Sequence, residues 1–572
     1  MASRAKLGMG MNMINKLFRF LFILATSILI IQCANQLPPG GGEVDNIPPR
    51  IIEVIPIDRT KNFNQEYFEL IFSEYVDKRS VQEAIFISPP IPKGVKYEWS
   101  GKSLSVFFND SLKTNTTYTI TVGAEVQDLN NRNKMVEPFT FAFSTGSVID
   151  TGSISGKIFD DNPSGIMIYA YFNKDTVANP ILQKPDYISQ VGKNGKYILP
   201  GLGEGKYNVF AFRDKYQDFF YKRNEDEFGV QFKEINLTRN KPENINNNFF
   251  INIEDTLAPK LSSVIMSDRN HILLEFNEPI DSSLVSSSNF YLYDSSAQRK
   301  ISLRYFFKGD ARDKQYYLSL SDTLIVGNNL YLHLNKIFDK SLNESLNEIT
   351  SITVKDLPDT IAPKILKITG TEFGDKVDYD NPIISVKFDD GFDLRNISES
   401  IKIMDDKNVQ LKFAVCRIDD ASFVINLKDK LRQKADYKIV LDLSKCIDAV
   451  GNKIDSLYTH KFTTVSELDY TGVIGNVESV VDSLQSYVVL RSATPEKKTY
   501  TQKVVNKSFN MNKILPGKYL IWSFIDSNVD KKYNAGVVSP LKYAEEFQFY
   551  PDTLNLRARW PVGDIIIKFE KN

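Results

Sequence analysis

A chain of 572 residues is too long for one hydrophobic core, and at roughly 100 to 200 residues per domain it divides into about four or five. Its 70 basic and 71 acidic residues leave a formal net charge of -1, so composition gives no sign of nucleic-acid binding. The 42% hydrophobic share is that of a folded protein, and the aromatics, 38 Phe and 27 Tyr against 3 Trp, favour pleated, half-buried surfaces and hence an all-β chain.

At the N-terminus, Arg4, Lys6 and Lys16 precede a largely apolar run from Leu17 to Ile31. That is the charged region and apolar region of an export signal, too short and too interrupted by Arg19 for a spanning helix. Leu29-Ile30-Ile31-Gln32-Cys33 resembles a lipobox. The resemblance implies a lipoprotein signal over 1–32 and lipidation of Cys33, although Gln32 departs from the usual small residue; the alternatives are an uncleaved signal anchor or an incidental cysteine. Two acyl chains there anchor a protein stably where one is marginal. Residues 33–46, rich in Pro and Gly, have little to bury and are expected to form a flexible tether. The stretch PPGGGEVDNIPP from Pro38 to Pro49 resembles the mature start of Bacteroidetes-type lipoproteins with Ig-like domains. This implies attachment to the outer membrane, and Ala34 to Gly40, which lacks an acidic residue, leaves the periplasmic and cell-surface faces both open.

An internal repeat organises the rest. Pro48-Pro49-Arg50-Ile51, Ala258-Pro259-Lys260-Leu261 and Ala362-Pro363-Lys364-Ile365 are one opening motif, and Pro259 and Pro363 lie 104 residues apart. About twenty residues on, each has an apolar strand ending in a polar turn: FELIFSE from Phe68, ILLEFNEP from Ile272 and IISVKFDDG from Ile383. Alternating runs follow from Tyr118, Tyr331 and Tyr437, with the period of two that marks a strand buried on one face. Polar turns open at Asp128, Phe338 and Asp448, and the first and third units close on FTFAFST and HKFTT. In this order the landmarks resemble the bacterial Ig-like domain associated with S-layer proteins, which implies β-sandwiches over 47–147, 254–357 and 358–466.

Two further units resemble each other. GSISG from Gly152 matches GVIG from Gly472, and ILPG through KYNVFAFRD matches ILPGKYLIWSFID. Both resemble the carboxypeptidase-regulatory-like, prealbumin-like sandwich, normally noncatalytic, over 148–253 and 467–572. The expectation is therefore a tandem array of five β-sandwiches, drawn out as an elongated row.

Catalytic constellations are missing. His271, His333 and His460 are isolated on strands, with no second ligand at helical spacing. Gly101-Lys102-Ser103 lacks the upstream glycine of a phosphate loop and reads as a hairpin turn. No G-x-S-x-G elbow occurs. The acid pairs Asp389-Asp390 and Asp405-Asp406 lie at turns, where solvated carboxylates are expected. Asp526, Asn528 and Asp530 have the spacing of a calcium loop, but Lys531 replaces the usual glycine, so an Asx turn explains them too. Cys416 and Cys446 either pair as a disulfide or stay as free thiols. Asp followed by Ser or Thr and an apolar residue marks Ser111, Thr176, Thr256, Thr323, Thr360, Ser456, Ser483 and Thr553. These resemble the Bacteroidetes O-glycosylation acceptor, against plain turn chemistry at the joints.

The reading is a non-enzymatic outer-membrane lipoprotein without cofactor, a structural or protein-interaction scaffold. Its expected partners are the membrane, through the lipid, and another cell-envelope protein, as in an outer-membrane assembly or transport complex. The alternative is a surface carbohydrate-binding or adhesion protein, which needs exposed Trp and Tyr, and for which Trp99 and Trp522 are thin candidates.

Overall fold

The computed structural model describes residues 44–173, 177–370, 376–478, 485–494 and 498–569. Cys33, Thr176 and Ser483 lie outside them. The described chain is nearly all strand, arranged as successive pairs of twisted sheets.

Period-two burial builds each sheet. In Tyr67–Phe72 every second side chain, Phe68, Leu70 and Phe72, is fully buried, and the same alternation runs through His271–Phe276 and Ile383–Phe388. Each of these strands sits second in a four-stranded sheet, paired with the strand that follows the opening proline motif. The facing sheets contain Thr117–Val122, Leu330–Leu334 and Asp436–Asp442. One core lies between each pair, around Phe68 and Ile120, Leu274 and Leu332, and Val386 and Ile439. Gly101 and Lys102 form the two-residue turn between Val95–Ser100 and Ser103–Phe108, with Gly101 at φ +61°.

Two tyrosines fix the corners of these sandwiches. Tyr118 and Tyr437 are buried, and each hydroxyl accepts a backbone N–H five residues upstream, from Lys113 at 2.9 Å and Arg432 at 3.0 Å. Tyr331, the corresponding landmark of the second proline-led unit, instead faces outward.

The remaining sheets are built differently. Gly152–Phe159 pairs antiparallel with Lys196–Leu202 and parallel with Glu243–Asn244. It faces a six-stranded sheet centred on Gly205–Arg213. In the C-terminal part, Thr471–Glu478 lies between Ser508–Ile514 and the parallel Val562–Lys568, facing a five-stranded sheet centred on Gly517–Asp526.

The chain closes on itself, which corrects the expected elongated row. Phe159 stacks on Phe549 with centroids 4.0 Å apart, and Phe250 stacks on Trp522 at 5.6 Å. Val538 and Ala544 enter the core formed by Phe210 and Phe212. Ala544 N–H donates to the Gln231 carbonyl at 3.2 Å, and Arg223 reaches the Ser539 carbonyl. Sheets near residues 150–250 are thus sealed against sheets near 485–550. Period-two alternation reports only that a strand has an apolar second face. It does not report what covers that face.

Neighbouring segments are seamed as well. Thr119 Oγ1 donates to the Pro200 carbonyl at 3.0 Å, and Ile188 N–H donates to Ser88 Oγ at 3.0 Å. Gly201, at φ +74°, passes so close that a Cβ would stand 2.5 Å from Thr119 Oγ1, so this seam requires the glycine of the L-P-G turn.

Candidate functional site

Three proline-led units each gather acids at one corner, and the same landmarks supply them. The first acid stands four residues before the second opening proline position: Asp45, Asp255 and Asp359. The second lies two residues past the central strand: Glu74, Glu278 and Asp390. The third begins the polar turn: Asp128, Asp339 and Asp448.

Turn chemistry holds the third acid in place. Asp128 Oδ1 accepts the Asn131 N–H at 2.9 Å, Asp339 Oδ1 accepts that of Asn343 at 2.8 Å, and Asp448 Oδ1 accepts those of Val450, Gly451 and Asn452. The turn asparagine then ties the corner together. Asn133 Nδ2 donates to Asp128 Oδ2 and the Asp45 carbonyl at 2.8 and 2.9 Å. Asn343 does the same for Asp339 Oδ2 and the Asp255 carbonyl at 2.8 and 3.1 Å. Asn452 reaches the Asp359 carbonyl at 3.4 Å, and Asp448 Oδ2 is left buried without a hydrogen bond.

The acids repel one another where they meet. In each of the clusters Asp45, Glu74, Asp128 and Asp255, Glu278, Asp339, one oxygen per residue lies within 4.8 Å of the others. Burial, then the neighbouring carboxylates, push Glu74 and Glu278 above the usual carboxylate range.

At the third corner a histidine from the preceding unit enters. His271 opens the strand His271–Phe276 on the face turned away from its own core. Its Nε2 lies 2.9 Å from Asp390 Oδ1, and its Nδ1 lies 3.0 Å from Asp268 Oδ2 and 3.9 Å from Asp359 Oδ2. Burial favours the neutral ring, but the hydrogen bonds to Asp268 and Asp390 prevail and raise its pKa to about 10. Asp359 Oδ2 is also buried without a hydrogen bond. Burial, followed by Asp448 among the charges that oppose His271, raises Asp359.

Sequence reasoning placed His271 as a plain strand residue and Asp390 as a solvated turn carboxylate. Both are corrected here: Asp390 is buried and bonded to a ring 119 residues away. The triple recurrence of the acids was visible in the landmarks, whereas the histidine was not. His333 does behave as a strand residue, stacked on Tyr291 at 4.4 Å.

The other candidates separate. Cys416 is exposed on the strand Phe413–Asp419 and Cys446 is buried beyond Leu443–Lys445; both are free thiols, so the disulfide alternative is corrected. At the calcium candidate, Asp526 accepts the N–H groups of Asp530 and Lys531 at 3.2 and 3.0 Å, and Asn528 points its Nδ2 at Asp530 Oδ2 at 3.0 Å. The carboxylate is spent on its own turn and an amide donor stands where an oxygen ligand is needed, which favours the Asx turn. Ser111, Thr256, Thr323, Thr360, Ser456 and Thr553 are all exposed. Trp522 is buried in the closure, Trp99 packs on Phe72 at 6.1 Å, and Trp560 is exposed.

Residues 45–145 and 359–464 match the family model described as a bacterial Ig-like domain, both matches starting at a corner aspartate. No curated protein matches the chain. Among solved structures, the N-terminal part of the bacterial S-layer protein SbsC is 14% identical, covering 37% of this chain and 45% of that one, with a TM-score of 0.17. The chain therefore spans less than half of that structure. Domains 1–6 of SbsC are 10% identical over 89% of this chain and 67% of that one, at 0.15. The major pilin subunit of Bacillus cereus is 10% identical over 74% of this chain and 99% of that one, at 0.13. The chain is thus an all-β array of sandwiches, two segments of which match the bacterial Ig-like domain. Among the described residues no helix is long and apolar enough to cross a membrane.

Proposed function

We propose that this is a non-enzymatic lipoprotein, held at the outer membrane through Cys33 and a tether over 33–46, that serves as a rigid docking scaffold for another envelope protein. Its working body is five sandwiches over 47–147, 148–253, 254–357, 358–466 and 467–572. The observation that carries the reading is the aromatic closure of Phe159 and Phe250 on Trp522 and Phe549. A chain that seals its own apolar faces into one frame is suited to presenting a fixed surface, and its exposed Asp-Ser and Asp-Thr sites suit glycans outside the cytoplasm.

The test is affinity isolation of the full chain from detergent-solubilised outer membrane, combined with acyl-chain labelling, Cys33→Ala, and protease shaving of intact cells. The expected outcome is labelling lost in the variant, and a stoichiometric envelope protein that copurifies with the wild type. Recovery of the chain alone, together with specific binding on a glycan array, would replace the scaffold with the adhesion reading.

A further inference from the structure

We infer that the corner shared by residues 254–357 and 358–466 is a divalent transition-metal site of the zinc class, with His271 Nε2, Asp390 and Asp359 as its protein ligands.

His271 Nε2 and Asp390 Oδ1 meet at 2.9 Å, a hydrogen-bond distance, and an opening of about half an ångström would let both reach one tetrahedral ion with bonds of about 2.0 to 2.2 Å. One donor atom from each of His271, Asp359 and Asp390 lies within 4.8 Å of the other two. The second ring nitrogen is held by Asp268 at 3.0 Å, which is how a ligating imidazole is usually oriented by an outer carboxylate.

The second observation is independent of the clustering. The Asp359 side chain is only 5% exposed, and its Oδ2 lies 3.9 Å from Nδ1 on the same ring. That oxygen has no hydrogen-bond partner, nor does Oδ2 of Asp448, a residue 2% exposed. A buried carboxylate oxygen without a donor is costly, and a cation supplies what the protein does not. A protonated ring accounts for the contacts to Asp268 and Asp390 and leaves these two oxygens bare. Four carboxylates, those of Asp268, Asp359, Asp390 and Asp448, also outweigh one imidazolium. When a divalent ion binds, the Nε2 proton leaves to solvent and the ion takes its place, so the corner gains one net positive charge.

The other two corners set the contrast. They contain no imidazole, and their turn carboxylates are satisfied by Asn133 and Asn343. An imidazole among carboxylates selects ions of the zinc, cobalt or nickel type over calcium and magnesium, which favour all-oxygen cages. Since His271 and Asp390 belong to different sheet pairs, the ion would clip the joint between them.

The test uses the full chain in detergent, purified through a tag free of histidine, stripped with chelator and titrated with cobalt, zinc and calcium chlorides. The expected result is one cobalt per chain with a visible ligand-field band, displaced by one zinc, and a rise in unfolding temperature with zinc. His271→Gln and Asp390→Asn should each weaken binding at least about tenfold, while Asp128→Asn, at the first corner, leaves it unchanged. Failure of the wild-type chain to bind cobalt or zinc overturns the site without reference to any variant. Binding that survives His271→Gln, or calcium retained in preference to zinc, overturns it as well.

Discussion

Cys416 and Cys446 show how strongly place governs a side chain. Cys416 lies exposed on a sheet edge with Asn426 Nδ2 at 3.4 Å, whereas burial pushes the Cys446 thiol up to about 12. A thiol reagent at pH 8 should therefore modify Cys416 in the folded protein and reach Cys446 only after denaturation, read by mass spectrometry of the labelled peptides. Core residues are as sharply placed: Leu274 is fully buried between sheets, so Leu274→Ala should cost about 2 to 5 kcal/mol in denaturant unfolding. That position was legible because alternation assigns Ile272, Leu274 and Phe276 to one face. The same alternation puts His271 on the other face and is silent about Asp390, because the two approach only through the packing of one folded unit on the next.

At the scale of the element, edges decide how units meet. The edge strand Tyr305–Lys308 hands two N–H groups to acids at the end of Phe413–Asp419 and just beyond it: Phe306 donates to Asp420 Oδ2 at 2.8 Å and Lys308 to Asp419 Oδ2 at 3.1 Å. An edge that would otherwise template aggregation is capped by acids. Asp420→Ala leaves the Phe306 donor without its carboxylate and should cost about 1 to 3 kcal/mol, whereas Asp420→Asn keeps an acceptor and should cost less, by urea titration. A second seam runs through Lys513, whose ammonium meets Asp380 at 2.6 Å and Asp378 at 3.5 Å. Hydrogen bonds from Lys430 and Lys513 hold Asp380 down to about 2. Its folded value lies below an unfolded value of about 3.9, so its contribution is present above that pH and is lost as pH falls through about 2. Lys513→Met should flatten the fall of the thermal midpoint between about pH 4 and 2, measured by circular dichroism. Strand landmarks were readable from proline, tyrosine and turn residues, but these seams join turns to edges whose pairing no local pattern encodes.

For the whole molecule, the closure is the feature that sets shape. Phe159 and Phe250 meet a cluster of Trp522, Phe547 and Phe549, and aromatic pairs of this kind contribute about 0.5 to 1.5 kcal/mol each beyond the area they bury. Replacing Phe159 and Phe250 together with serine should open the frame, seen as a larger radius of gyration in small-angle scattering and a more solvated Trp522 in fluorescence. An unchanged radius would mean that the remaining seams suffice. The sandwich class was open to sequence reasoning because every sheet repeats the same alternation. The closed path was not, because the aromatics of the six-stranded and five-stranded sheets look in sequence like any other core.

Synthesis from the N-terminus gives that closure a temporal meaning. Phe159 emerges 390 residues before Phe549, and Phe250 emerges 272 before Trp522, and throughout those intervals their apolar face lacks the cover that these partners supply. The chain therefore spends much of its assembly as an adhesive intermediate that only its distal sheets can quench. A truncated copy would stay in that state, so envelope chaperones and proteases would have a lasting handle on incomplete molecules and lose it once the frame shuts.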